Sequence, residues 1–178
     1  MAGNRSPGAL TPHWTAPREP PYNRFMVEEF PGPLDSAALT ALLRRHDIGV
    51  TRQRIAVAQV LFERRQHLCA EAVLARARAR NARVSRATVY NTLKLFVDHG
   101  LLSEVIVDPS RIFFDTEIRP HYHVFDASTG KLADIPAEGI EVKGLPPLPA
   151  GTLIDRVDIV IRTRPAPREA GPGAVAGA

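Results

Sequence analysis

His121-Tyr122-His123 sets two imidazoles at i and i+2 of a β-prone run, so both side chains leave the same face of a strand. The turn Ala127-Ser128-Thr129-Gly130 pairs Asp126 with Lys131, and that register sets His123 opposite Asp134. Opposed residues have Cβ atoms roughly 5 Å apart, close enough to share an ion. Asp115 stands just upstream, at the end of another β-prone run. Imidazole and oxygen donors together suit one divalent metal: Fe2+, Mn2+ or Zn2+. Taken alone, the pair of histidines also fits a solvated strand, because this motif is weak.

A second group of residues suits nucleic acid. Over residues 84–105, Ser85 is placed to cap a helix, and Val89, Leu93, Phe96 and Val97 recur on one apolar face. Arg86, Tyr90, Asn91 and Lys94 fall on the other side. There they offer one aromatic ring and three groups able to bond phosphates or base edges. Gly100 follows the last periodic residue, where a left-handed helix end suits glycine. Residues 101–107 turn β-like, Asp108-Pro109-Ser110 signals a turn, and 111–115 is a return strand. This reads as a recognition helix followed by a wing, although a buried helix and hairpin in any small domain would carry the same pattern. Tyr90 and Asn91 are the base-contact candidates. Arg52, Arg54 and Lys94 are placed for phosphates, with Arg86, Thr88 and Arg111 completing the DNA-contacting set.

Elements upstream must support that helix. Asp35 or Ser36 caps a first helix carrying Leu39, Leu42 and Leu43. Thr51 caps a second, with Ile55, Ala58, Leu61 and Phe62 inward and Arg52, Arg54 and Gln59 outward. A third runs over about 70–80, so the helix at Ser85 completes a helix–turn–helix placed to enter a major groove. Short β segments follow at 121–125, 131–135 and 154–162. Seven of the 16 prolines fall in residues 1–34, which read as a mobile arm, and a Pro/Gly/Ala tail after Arg164 reads as disordered.

Charge supports the division. Residues 35–100 hold 12 Lys/Arg against 5 Asp/Glu, whereas 101–178 hold 8 against 11. A basic part beside an acidic one implies that the first meets a polyanion. The single cysteine, Cys69, excludes an intramolecular disulfide and a multi-thiolate zinc site. It stands where a helix cap belongs. With no long apolar run and no signal-like segment, a cytoplasmic protein without membrane contact is expected.

Thr51-Arg52-Gln53-Arg54, His67-Leu68-Cys69-Ala70-Glu71, Ala87-Thr88-Val89-Tyr90-Asn91-Thr92-Leu93 and Gly100-Leu101-Leu102 resemble, in order and spacing, the ferric-uptake-regulator (Fur) superfamily. The resemblance covers about residues 36–162. The TVYNTL form, the FFDT wing end and the late stretch 155–162 look most like the iron response regulator (Irr) branch, while the ligand spacing is like that of the peroxide-sensing branch. The resemblance implies a regulatory metal held by His67, Asp115, His121, His123 and Asp134, with His67 joining the DNA-binding half to the hairpin. Iron response regulators typically carry three consecutive histidines here, and in this chain the middle one is Tyr122. Asp126 and Thr129 replace the first of two CxxC pairs that hold structural zinc in many relatives, so no structural zinc on four cysteines is expected. The Pro-rich stretch 136–151 stands where relatives have a longer dimerisation helix.

The expected fold is α+β, an N-terminal winged helix–turn–helix followed by a small α/β dimerisation domain. The expected divisions are an arm (1–34), a DNA-binding domain (35–116), a dimerisation and metal-sensing domain (117–164) and a tail (165–178). Dimerisation through the sheet follows from Val157, Ile159 and Ile161, which alternate with polar residues and need cover. The function expected is a metal-responsive transcriptional repressor, not an enzyme. It binds a palindromic double-stranded operator as a homodimer and controls iron/haem or peroxide-response genes. The alternatives are a haem-responsive regulator using the same histidines and a metal-independent DNA-binding protein. A small non-haem iron enzyme would need many more strands than this chain offers.

Overall fold

The computed structural model describes residues 33–108, 110–154 and 156–166, with the side chain of Asp108 left aside. The expected arm, apart from its last two residues, and the tail from 167 onward lie outside the described residues.

Four helices build the first half. Asp35 accepts a hydrogen bond from the backbone of Ala38 and starts α1 (Ser36–Arg45), whose Leu39, Leu42 and Leu43 are buried. Thr51 does the same for Arg54 at the start of α2 (Arg52–Leu61). Ala56, Val57 and Val60 are buried there beside the expected Ala58 and Leu61, because α2 packs against α1, α3 and α4 together. A two-residue strand, β1 (His67–Leu68), precedes α3 (Ala70–Arg80). Cys69 holds the cap position of α3 without a side-chain cap bond. Ser85 caps α4 (Arg86–Asp98), whose buried face is Val89, Thr92, Leu93 and Phe96. Gly100 ends it at a φ of 69°, a region in which other residues are strained.

The wing follows as β2 (Ser103–Asp108) and β3 (Arg111–Asp115), and β1 adds to the free edge of β3 to give the order β1-β3-β2. A second sheet has β4 (His121–Asp126) at its centre, between antiparallel β5 (Lys131–Pro136) and parallel β6 (Val160–Thr163). The strand expected over 154–162 is thus confined to its end and runs one residue past it. Residues 136–151 carry no helix. The architecture is α+β, a winged helix–turn–helix joined to a small sheet-based unit.

One apolar core joins all four helices to Leu101, Leu102 and Phe114. A smaller core ties the two sheets. Val105 and Val107 of the wing meet Phe125 of β4, with Phe113, Leu132 and Val160 packed around them. Among the described residues, no helix is long and apolar enough to cross a membrane.

Candidate metal centre

Strand alternation aligns two rows of side chains. Residues 111, 113 and 115 share one face of β3, and 121, 123 and 125 share one face of β4. The rows meet. Asp115 Oδ2 lies 2.8 Å from His121 Nε2 and 3.4 Å from His123 Nε2. Further along, the Phe113 and Phe125 ring centroids are 6.5 Å apart, and the Arg111 guanidinium sits 5.7 Å from the Phe125 ring.

The β4–β5 register is Asp126 with Lys131 and His123 with Asp134, as the turn requires. It brings Asp134 Oδ1 to 3.6 Å from His121 Nε2 and 3.8 Å from His123 Nε2. His67 arrives from the other sheet, where the β1–β3 ladder pairs it with Asp115. Its Nε2 stands 2.7 Å from Asp134 Oδ1 and 3.4 Å from Asp115 Oδ2. One ligand atom from each of the five residues lies within 4.8 Å of every other.

Orientation argues that these atoms face a common point. His67 Nε2 is buried and forms no aligned hydrogen bond, despite the carboxylate oxygen 2.7 Å away. His121 Nε2 and His123 Nε2 are 3.0 Å apart, a close approach for two ring nitrogens. At metal–nitrogen bonds of about 2.1 Å, that separation subtends roughly a right angle at an ion. The donor set fits a divalent metal.

Neighbouring groups hold the donors in place. The Arg119 carbonyl lies 2.8 Å from His121 Nδ1, so an Nδ1–H donating there leaves Nε2 free to ligate. Asp115 Oδ1 accepts from the Glu117 backbone N–H at 2.8 Å, which reserves Oδ2 for the site. Glu117 is itself paired with Arg65 and Arg119. Beside His67, the Gln66 amide donates to the Val60 and Leu61 carbonyls at the end of α2 and accepts from Arg76 of α3. Gln66, Glu117 and Thr116, whose hydroxyl accepts from the Gln66 backbone N–H at 3.3 Å, carry no motif, and their roles appear only once the loop is folded.

Electrostatics match the geometry. Burial opposes charging of His67, but the carboxylates of Asp115 and Asp134 outweigh it and push the imidazole up to about 9. Burial likewise opposes charge on Asp115, yet hydrogen bonds from His121 and His123 and the charge of the His67 ring beside it hold it well below the usual carboxylate range. Asp134 is lowered, with burial opposing and His67 prevailing. His121 is raised, burial again opposing and Asp115 prevailing. The site concentrates charge that a cation can replace.

The sequence motifs offer His67 as the sole link between the halves. In the structure Asp115 shares its sheet, so two donors come from the wing side and three from the hairpin. Where many relatives place the first CxxC pair, Asp126 instead closes the turn by accepting from Ser128 and from the Thr129 hydroxyl, and these bonds lower it to about 2.

The DNA-contact candidates divide. On α4, Arg86, Tyr90, Asn91 and Lys94 are exposed, while the Thr88 hydroxyl pairs with Ser85. Arg52 is exposed at the start of α2. Arg54 is not free, because its guanidinium donates to the Gly49 carbonyl. Arg111 lies between the Phe125 ring and the hairpin turn, where a Cβ on Gly130 would come within 3.0 Å of it. Charge alone could not reveal these partners, nor that Arg86 pairs with Glu71 and Lys94 with Asp98.

Known proteins share this organisation. The peroxide-responsive repressor PerR of Staphylococcus epidermidis is 31% identical over 94 residues, which are 53% of this chain and 63% of that protein. PerR of Staphylococcus aureus is 32% identical over 94 residues, 53% of this chain and 64% of that protein. The chain therefore spans less than two thirds of these relatives. The ferric uptake regulator of Pseudomonas aeruginosa with manganese superposes with a TM-score of 0.53 at 22% identity, covering 71% of this chain and 96% of that one. That of Vibrio cholerae gives 0.55 at 16% identity, with 71% and 98% covered. The Campylobacter jejuni peroxide stress regulator gives 0.51 at 20% identity, with 73% and 98% covered. At these identities the solved structures establish the fold. The sequence model of the ferric uptake regulator family matches residues 46–145, taking in the helical core from α2 onward, the wing and all five donors. This chain belongs to the ferric uptake regulator family.

Proposed function

We propose that this protein is a metal-responsive transcriptional repressor that binds double-stranded operator DNA as a homodimer. The observation that carries the reading is the five-donor centre, which takes His67 and Asp115 from the wing sheet and His121, His123 and Asp134 from the hairpin. A metal held there fixes one half against the other. In a dimer that angle sets the spacing of two recognition helices, which must match half-sites about one helical turn apart or a multiple of it. Residues 35–116 form the DNA-binding half and 117–164 the sensing and dimerisation half in this reading. Among the described residues β5 and β6 are the edge strands of the second sheet, and Ile161 is exposed, which supports pairing with a second copy.

Fe2+, Mn2+ and Zn2+ all suit nitrogen and oxygen donors. Haem fits the cluster less well, since its iron takes few protein ligands, whereas five donors converge here. Iron or peroxide-response genes are the proposed targets, given the repressors to which the chain is similar. Arg52, Arg86 and Lys94 would hold phosphates, and Tyr90 and Asn91 would read bases.

The test is selection of duplexes from a random library by the full chain, with Mn2+, Zn2+ or Fe2+ added, with haem, and after chelation. A recovered palindromic motif whose affinity changes at least about tenfold with one of the metals is expected, an effect of typical size for coupled sites. Enrichment that ignores metal would leave a metal-independent DNA-binding protein, and enrichment that answers only to haem would favour the haem reading.

A further inference from the structure

Glu71 is an acidic residue on the face expected to meet DNA. It occupies the first turn of α3, and its Oε1 accepts from the Tyr90 hydroxyl at 2.9 Å and lies 3.3 Å from Arg86 Nη1. Both partners belong to the outward face of α4, one turn apart. All three are exposed, with Tyr90 at 44% and the Arg86 and Glu71 side chains at 64% and 59%. Exposed ion pairs stabilise a fold by only about 0–1 kcal/mol, so the helix pair does not depend on this contact. The contact does decide what α4 presents to DNA.

A phenol that donates to Glu71 has its hydrogen committed and its ring held in one orientation. It then meets the major groove as a hydrogen-bond acceptor with a fixed apolar edge. Such a group can accept from adenine N6 or cytosine N4 and can contact the thymine methyl. The carboxylate also repels phosphate, and it competes for Arg86, a cation otherwise available to any duplex. It stays ionised, because the Tyr90 hydroxyl, the helix start and Arg86 all favour its charged form. Nothing in the metal centre involves it.

Resting on the DNA-binding reading above, we propose that Glu71 is a specificity-determining residue, orienting Tyr90 as an acceptor and penalising duplexes on which Tyr90 finds no partner. Part of the discrimination between operator and bulk DNA then comes from a residue that lowers overall affinity.

The experiment uses the full chain with saturating Mn2+, the duplex that wild type selects from a random library, and a random-sequence duplex of equal length. Affinities are measured at fixed salt for wild type, Glu71→Gln, Glu71→Ala, Tyr90→Phe and Glu71→Gln/Tyr90→Phe, with thermal melts to verify folding. Glu71→Gln should bind random duplex roughly threefold more tightly, the loss of one repelling charge. It should lower the selected-to-random ratio about tenfold, the value of one good base contact. Tyr90→Phe should lower that ratio similarly without tightening random binding, and the double variant should be no less selective than Glu71→Gln. Equal shifts on both duplexes, or an unchanged ratio in folded Glu71 variants, would overturn the role of Glu71. If wild type enriches no sequence, the DNA-binding reading fails first and Glu71's role falls with it, a result distinguishable because no variant is then needed.

Discussion

His67 and Asp115 face one another across one rung of the β1–β3 ladder, so the short strand after α2 and the last residue of the wing deliver their side chains to one point. Because both belong to the wing sheet, either should transmit the metal's influence to α4. His121→Ala or His123→Ala should weaken Mn2+ binding by more than roughly 100-fold, the upper range for mere outer-shell losses. His67→Ala and Asp115→Asn should weaken both metal binding and the metal dependence of DNA affinity. Calorimetric Mn2+ titration of the four variants checks this, and an Asp115→Asn protein that binds and responds normally would remove the carboxylate from the site.

Acidity should act oppositely on the metal-free and loaded forms. His67 is raised from 6.5 to about 9, so its contribution to metal-free stability is complete below pH 6.5 and is lost as pH rises through about 9. Asp115 and Asp134 lie below their usual 3.8, so their contribution is present above that pH and is lost on further acidification. The metal-free protein should therefore melt highest between about pH 4 and 6.5 and progressively lower toward pH 9. Metal must displace protons from imidazole, so Mn2+ affinity should rise over that same alkaline interval. Melting curves across this range decide it. A metal-free melting temperature that climbs from pH 6.5 to 9 would contradict the charge pattern.

Phe125 anchors the wing to the second sheet through Val105, Val107, Phe113 and the Arg111 guanidinium. Phe125→Ala should cost about 3 kcal/mol, the lower end for a buried phenylalanine, and should leave the five donors in place. Denaturant unfolding measures the loss. A change under about 0.5 kcal/mol, typical of surface substitutions, would show that the two sheets are not packed here.

Chelation should leave the fold intact. The helical half rests on an apolar core of residues such as Leu43, Val57, Leu93 and Phe96, and the hairpin turn is closed by Asp126 rather than by thiolates. Far-ultraviolet circular dichroism should survive excess chelator, unlike that of small zinc-nucleated domains. A cooperative collapse reversed by zinc would reveal a structural metal.

What can be read from the residues is what short-range rules govern. The hairpin register follows from turn length, so His121, His123 and Asp134 can be placed together. The Ser85 cap, the apolar face of α4 and the helix end at Gly100 follow from local backbone chemistry. His67 can be placed only through its motif, because a strand of two residues has no periodicity and its pairing with β3 is set by tertiary packing. The same limit hides the engagement of Arg54 with Gly49 and of Arg111 with Phe125.

In the proposed mechanism, metal and DNA act on one another through the angle between the two halves. Coupling between binding sites is reciprocal, so the factor by which Mn2+ changes affinity for the selected duplex must equal the factor by which that duplex changes affinity for Mn2+. The deciding measurement is Mn2+ affinity of the full chain with and without saturating selected duplex. A change of at least about tenfold is expected, matched in the reverse titration and reduced in His67→Ala. Identical Mn2+ affinity in the two conditions would contradict it.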